Sequence, residues 1–379
     1  MTDTDVLIVG AGPTGLALAV ALRANNVRAT VVDRLTAGAN TSRAAAVSAR
    51  TLEVLEPVGV SNRLVKQGIQ APLFTIRDGH RTLIPVDFSW LPTRYPYILM
   101  APQSTTERLL LERLTELGGE VVRPKTLTGI TQDAQGITAQ FDDGEPIRAQ
   151  YLVGADGMHS VVREQAGIGF HGGQYGESFA LADVRLTGEV TDDEVILFWA
   201  SDGMTVVAPL PGGTYRIVAP VDEAPELPSA GFIQEMLDAR GFGPGRVTVT
   251  DVAWGSRFRV HHRIADSYRA SRVLLAGDAA HVHSPAGGQG MNLGIQDSIA
   301  LSEALTTALT TGRDAVLDEY SAARRPLAQK VVTLTDRLTR LATLPAAARP
   351  IRNVMTTVAG KIPGVQHQLA WQLSGLGNR

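Results

Sequence analysis

The sequence predicts an α/β protein in which helices wrap a parallel sheet, an antiparallel sheet is inserted into that unit, and further helices follow at the C-terminal end. Three observations carry this. A strand, a helix and a second strand succeed one another within residues 5–33. From about Ser178 to Phe258 the pattern changes to short strands separated by Gly and Pro, and from Gly294 to Arg340 it becomes helical. A chain of 379 residues with 44% hydrophobic and 19% charged residues can bury a large core, divided between subdomains.

The elements follow in order. Asp5 to Gly10 is a short apolar, β-rich run, and Thr14 to Asn25 then places Leu16, Leu18, Ala19 and Leu22 at helical spacing. Val27 to Asp33 returns to strand composition. Thr51 to Leu55 with Leu64 suggests helix. Ser104 with Glu107 three residues on reads as a capping-box start to a helix that runs to Leu117 and ends at Gly118-Gly119. Strands are expected at Glu120–Arg123, Ile137–Phe141 and Tyr151–Gly154, with Asp142-Asp143-Gly144 as a turn. In the inserted sheet they are expected at Val195–Trp199, Thr205–Pro209, Tyr215–Pro220 and Val247–Trp254, with one helix near Phe232–Ala239. Arg272 to Gly277 reads as a buried strand. Arg325-Pro326 should break or kink the helical stretch that follows, and Pro345, Pro350 and Pro363 punctuate a tail of two short helices. No internal repeat stands out.

Composition excludes several classes of function. The formal charge of −3 is spread without long like-charge blocks, so nucleic acid is not an expected partner. Cysteine is absent, which removes disulfides, thiolate metal sites, cysteine nucleophiles and redox dithiols. The run Val6 to Leu22 is long and uncharged enough to suggest a membrane or export segment. Asp3 and Asp5 before it, with Gly10, Gly12, Pro13 and Gly15 within it, argue for a cytoplasmic protein without a membrane partner.

Gly10-Ala-Gly12-Pro13-Thr14-Gly15 follows a strand and opens a helix. The first glycine permits the tight turn, the second lets backbone approach a pyrophosphate, and the third lets helix pack on strand. Asp33 lies eighteen residues past Gly15, at the end of the second strand, where a carboxylate can accept hydrogen bonds from ribose hydroxyls. This is Rossmann-like dinucleotide binding, and the motif alone does not say which dinucleotide. Gly167-Ile-Gly169-Phe-His-Gly172 fits the same spacing with neither strand before it nor helix after it, so context decides. A second site begins at Gly277-Asp278 and runs through His281, His283, Pro285, Gly288 and Gly290-Met291-Asn292 into a helix. A carboxylate at a strand end can bind polyol hydroxyls, and glycines at a helix N-terminus present amides to negative charge.

These segments, with Gly154-Ala-Asp156-Gly157-Met-His-Ser160-Val-Val-Arg163 between them, resemble the three fingerprints of single-component flavoprotein monooxygenases similar to p-hydroxybenzoate hydroxylase. The match spans roughly residues 5 to 330 and is nearest to the actinobacterial hydroxylases of polyketides and other phenolic compounds. Many of those carry a further thioredoxin-like domain, for which this sequence is too short. The resemblance implies an FAD-binding domain with an inserted substrate sheet. It divides the chain into FAD-binding parts at 1–75, 101–177 and 266–340, substrate parts at 76–100 and 178–265, and a helical tail at 341–379. It implies that Gly10, Gly12, Pro13, Thr14 and Gly15 meet the FAD pyrophosphate. Asp33 and Arg34 would flank the adenosine ribose, Arg43 the pyrophosphate region, Gln103 the ribose and ribityl side, and Asp278 the ribityl chain. Gly288, Gly290, Met291 and Asn292 would face the isoalloxazine with backbone groups, whose reduced N1–C2=O edge is negative. Pro285 would line the place where oxygen and substrate meet. Asp156 and Arg163 match a segment that contacts pyrophosphate and NADPH, with support of the loop as the equal alternative.

The implied reaction uses NADPH or NADH and O2 to hydroxylate or epoxidise an aromatic or polycyclic small molecule through a flavin C4a-hydroperoxide, in a monomer or homodimer. Phe198, Trp199, Met204 and Tyr215 are candidates for the wall over the flavin, with ordinary sheet packing as the alternative. His80, Tyr97, Arg216 and His283 are candidates for a general base, and the sequence does not choose among them. His281 and His283, even with His261-His262, lack a converging third ligand, so no metal is expected. Lys66 and Lys125 are the only lysines in the N-terminal half, which disfavours a halogenase. A reductase of the prenyl-reductase type and a non-catalytic FAD-fold binding protein are the alternatives. Gln296-Asp297-Ser298 departs from the Asn-Leu-Ala-Trp-Lys run common in the polyketide hydroxylases, so the family is firmer than the branch.

Overall fold

A computed structural model describes residues 3–38, 44–200, 203–284, 287–342, 348–360 and 362–378. The apolar runs of the N-terminal half form a sheet in which Val273–Leu275, Ile147–Gly154, Thr4–Val9, Ala29–Val32 and Val121–Val122 lie side by side and parallel. Thr4–Val9 is central and almost wholly buried, as a parallel strand covered on both faces must be. Helix Pro13–Ala24 packs beneath it, every residue from Gly15 to Leu22 buried, and helix Gly290–Thr311 packs against that helix.

The second sheet has eight strands in the order His281–Val282, Val247–Ala265, Phe170–Gly188, Thr214–Val221, Gly203–Leu210, Glu194–Ala200, Leu73–Asp78 and Arg81–Asp87. It departs from the expected antiparallel insert in one respect. Glu194–Ala200 runs parallel to Leu73–Asp78, because the sheet closes by recruiting a hairpin from the N-terminal half. A small third sheet, Ala46–Val47, Ile98–Met100 and Ile69–Ala71, lies between the two.

Three local expectations need correction. Helix Gln103–Glu116 starts one residue before Ser104, with Pro102 at its cap and no side-chain cap. Glu107 instead accepts a hydrogen bond from Gln103 Nε2 (2.8 Å), so no capping box forms. The break in the C-terminal helical stretch falls at Gly312, whose φ of +72° ends Gly290–Thr311, whereas Pro326 lies inside the continuous helix Val316–Ala342. Buried Arg324, and Arg325 bonded to the Ala265 carbonyl (2.9 Å), anchor that helix on the core beside the proline, against a proline cost of about 3 kcal/mol. The sheet strands are also longer than their apolar patches suggest, Val247–Ala265 most of all, because Phe170–Gly188 pairs with it from Phe170 opposite Ala265 to Gly188 opposite Val247, with register shifts between.

Candidate functional site

Register brings the three glycine-rich segments to one edge. Val9 pairs with Gly154 and with Val32, and Gly154 with Leu275, so Gly10, Asp33, Asp156 and Gly277-Asp278 leave the sheet together at its carboxyl end. In open α/β sheets this is where ligands bind. Gly10 holds a φ of +106°, and a side chain there would stand 2.3 Å from the Ala155 carbonyl oxygen. A Cβ on Gly15 would lie 1.9 Å from the Gly10 carbonyl oxygen. Gly277, with φ of +61°, and Gly294 both press on Thr14, each leaving only 2.5 Å between an added Cβ and Thr14 Oγ1. Ser298 Oγ also donates to the Thr14 carbonyl (2.7 Å). The opening fingerprint is thus in direct contact with both later ones.

The donor set at this edge fits a dinucleotide. Helices Pro13–Ala24 and Gly290–Thr311 both begin here, and neither has a side-chain cap or an acidic residue in its first turn. Their leading amides can therefore serve an anion. Gly12 caps the first of them with nothing within 4 Å of where a side chain would start. Asp33 is half-buried, with Oδ2 accepting from the Ala11 amide (2.7 Å) and Oδ1 from the Leu35 amide (2.8 Å), so it braces the glycine loop from below. Gln103 Oε1 accepts from the Ala44 amide (3.3 Å), and Arg34 is exposed. Asp278 is exposed at the turn Gly277–Ala279. Pyrophosphate needs N–H donors and sugar hydroxyls need carboxylate acceptors, and both are present. Arg43 and Pro285 lie outside the described residues.

Asp156 and Arg163 support their loop. Asp156 accepts from Ser160 Oγ (2.5 Å) and the Val162 amide (3.2 Å) at the start of helix Val161–Gln165, with burial pushing its carboxyl pKa up. Arg163 donates to the carbonyls of Ala279 (2.9 Å) and Met158 (3.0 Å) and lies over the Phe170 ring, tying this loop to the Asp278 turn. Gly290, Met291 and Asn292 form the first turn of their helix. The Asn292 side chain is fully engaged, donating to the carbonyls of Ala46 (2.9 Å) and Gly288 (2.7 Å) and accepting from the Ser48 amide (2.8 Å). It clamps the glycine loop against the small sheet.

The proposed wall residues separate into two faces. Trp199 and Met204 join Met100, Phe179, Leu373 and Leu376 in the apolar cluster that adjoins Ala45 and Ala46 beside the glycine loop. Phe198 and Tyr215 face the other way, and Phe198 meets Phe242 edge-on at 4.9 Å near helix Ala230–Arg240. Successive residues on a strand point to opposite faces, so Phe198 and Trp199 could never share one.

Among the base candidates, His80 is exposed at a hairpin turn. Tyr97 is buried against Tyr95 with its phenol pKa raised by burial. Arg216 is locked onto Asp183 by two bonds of 2.8 Å and donates to the Ala44 carbonyl (3.0 Å). His283 donates from Nδ1 to the Ser284 carbonyl (2.9 Å), leaving Nε2 buried without a partner among the described residues. Burial lowers its pKa to about 4, so it is neutral near pH 7.

Sequence reasoning missed two features. His159, His261 and Arg263 lie together beside the Asp156 loop, where burial first and then the charges of Arg263, His159 and His262 depress the His261 pKa and favour its neutral imidazole. Asp297 is fully buried between His281 and Arg324. Its spacing from Gly290 and Gly294, at i+7 and i+3, puts it on their helix face, a signal the periodicity did hold.

A family described as FAD binding domain matches residues 3–335. The chain belongs to that family. Rifampicin monooxygenase from Streptomyces venezuelae is 35% identical over 361 residues, covering 93% of this chain and 74% of that protein. The crystal structure of p-nitrophenol 4-monooxygenase PnpA from Pseudomonas putida superposes with a TM-score of 0.86 at 27% identity, covering 100% of this chain and 99% of that one. OxyS anhydrotetracycline hydroxylase from Streptomyces rimosus gives 0.82 at 34% identity over 98% of this chain and 76% of its own. This member of the FAD binding domain family is therefore an FAD-dependent monooxygenase, and the reductase and binding-protein alternatives are not favoured. Among the described residues no helix is long and apolar enough to cross a membrane.

Proposed function

We propose that the chain uses NAD(P)H and O2 to hydroxylate, or epoxidise, an aromatic or polycyclic small molecule. The observation that carries this is the meeting of the three glycine-rich segments at one sheet edge, beside an apolar face bearing Trp199 and Met204. Bound FAD, once reduced, supplies the activation of O2 and the transfer of one oxygen atom.

The chain's own residues do the rest. Gly12 and the first turn of Pro13–Ala24 offer amides to the pyrophosphate, with Asp33 at the adenosine ribose, Arg34 next to it in sequence, and Gln103 on the ribose and ribityl side. Asp278 takes ribityl hydroxyls. The uncapped amides of Gly290, Met291 and Asn292, with Gly288 before them, stabilise negative charge on the ring. His283 Nε2 accepts a hydrogen bond from a substrate hydroxyl, and its depressed basicity keeps it from removing the proton outright. The Arg263 guanidinium, with the imidazoles of His159 and His261 beside it as N–H donors, suits the phosphates of NAD(P)H. The cluster holding Trp199, Met204 and Phe179 keeps water from the reacting atoms.

The proposed division gives residues 1–75, 101–177 and 266–340 to FAD, 76–100 and 178–265 to substrate, and 341–379 to a tail. Strands Leu73–Asp78 and Phe170–Gly188 run unbroken across two of those boundaries. The test is a panel of phenols and fused-ring aromatics offered to the yellow protein with NADPH or NADH. A substrate that speeds nicotinamide oxidation and emerges heavier by one oxygen atom supports the reading. A purified chain that binds no flavin, or that reduces substrates without consuming O2, overturns it.

A further inference from the structure

We propose that Asp297 is a positioning residue for FAD, fixing from behind the turn that presents Asp278 to the cofactor. The inference rests on the placement of FAD along the strand ends given above. Asp297 is 0% exposed on helix Gly290–Thr311, and its two oxygens reach three other parts of the chain. Oδ2 accepts from the Gly277 amide (3.4 Å) and from His281 Nε2 (2.6 Å), and Oδ1 accepts from Arg324 Nε (2.7 Å).

Gly277 and His281 bracket Asp278, Ala279 and Ala280, and the turn is closed by the Ala280 amide on the Gly277 carbonyl (2.8 Å). One carboxylate oxygen therefore holds both ends of the segment. The front of the turn is fixed as well, since Gly277 has no room to move toward Thr14. Asp278 is left at the exposed side with little freedom in its backbone.

The chemistry demands a carboxylate at position 297. It must accept from three donors, and an ionised Asp is acceptor-only on both oxygens. Burial pushes its pKa up, but the charges of Arg324 and His281 outweigh this and hold it below the usual range, so the group stays ionised. An Asn there would turn an N–H₂ toward either Arg324 or His281 and lose at least one clamp. The Tyr320 hydroxyl, bonded to the Leu275 carbonyl (2.9 Å), fixes the strand just before the turn, so the whole support is buried and distant from solvent.

The experiment titrates FAD, and separately ADP, into the full-length apoprotein for wild type, Asp297→Asn, Asp278→Ala and the double variant, reading quenching of flavin fluorescence and competition by ADP. Asp297→Asn should weaken FAD about tenfold, the scale of one charge-assisted hydrogen bond, while ADP affinity stays within about twofold. Asp278→Ala should match it, and the double variant should be no weaker than the worse single, since both act through one contact. If Asp297→Asn does not fold, Asp297→Asn with Arg324→Met removes both buried charges together and should show the same FAD-specific loss. Unchanged FAD affinity, additive losses, or a parallel loss of ADP binding each overturns the proposal. A wild-type protein that binds ADP but not FAD would instead sink the placement of the cofactor itself, and the proposal with it.

Discussion

The carboxyl edge of the parallel sheet and the apolar face of the second sheet meet at the same site, yet they are built by opposite means. At the edge the working parts are backbone groups, and glycines set their geometry. Gly10, Gly15 and Gly277 each sit where a single added carbon would overlap a neighbour. On the face the working parts are side chains, Trp199, Met204 and Phe179 among them, in a cluster that also draws on the C-terminal segment through Leu373 and Leu376. On the proposed reading, the edge that takes the cofactor is intolerant of any change in shape, and the face that takes the substrate is adjustable by exchange of apolar residues.

This contrast makes graded predictions. Gly10→Val should be the most damaging, because it adds left-handed strain to a clash with Ala155. A loss of about 3 kcal/mol or more, with no flavin retained on purification, is expected by thermal melting and absorbance. Gly294→Ala should cost about 1–3 kcal/mol in denaturant unfolding, and Thr14→Ala should restore part of it by removing the Oγ1 that the new methyl meets. If Thr14→Ala gives no recovery, the edge is not packed as tightly as described.

His283 gives a pH signature. Its folded pKa of about 4 lies below the ordinary histidine value of 6.5, so between those values the unfolded chain binds more protons and stability falls as acid is added. The slope from this group is at most about 1.4 kcal/mol per pH unit. His283→Gln should flatten unfolding free energy against pH in that window, and an unchanged slope would assign it elsewhere. The smallest effect belongs to the face. Met204→Leu should change stability by about 1 kcal/mol or less and leave FAD affinity untouched, while shifting the balance of oxygenated product to hydrogen peroxide. A loss of FAD affinity in that variant would erase the distinction between the two regions.

The same contrast governs what could be read beforehand. Gly10, Gly15 and Gly277 were legible because tight turns and close approaches admit few residue types. Asp156 and Arg163 were legible as a motif and ambiguous in role, and both hold their loop through bonds within it or to Ala279. Trp199 and Phe198 were legible as apolar strand residues only. Both faces of that strand are buried, so its composition carries no sign of which side meets the glycine loop.

Taken alone, the sequence determined the parallel sheet, the glycine turns and the dinucleotide chemistry, because these follow from steric limits acting within a few residues. Tertiary structure alone decided that Arg324 would neutralise Asp297, that Gly294 would meet Thr14, and that Leu373 would close against the loop at Gly287. Those pairings join residues far apart in the chain, and no local pattern marks one buried charge or one apolar side chain as the partner of another.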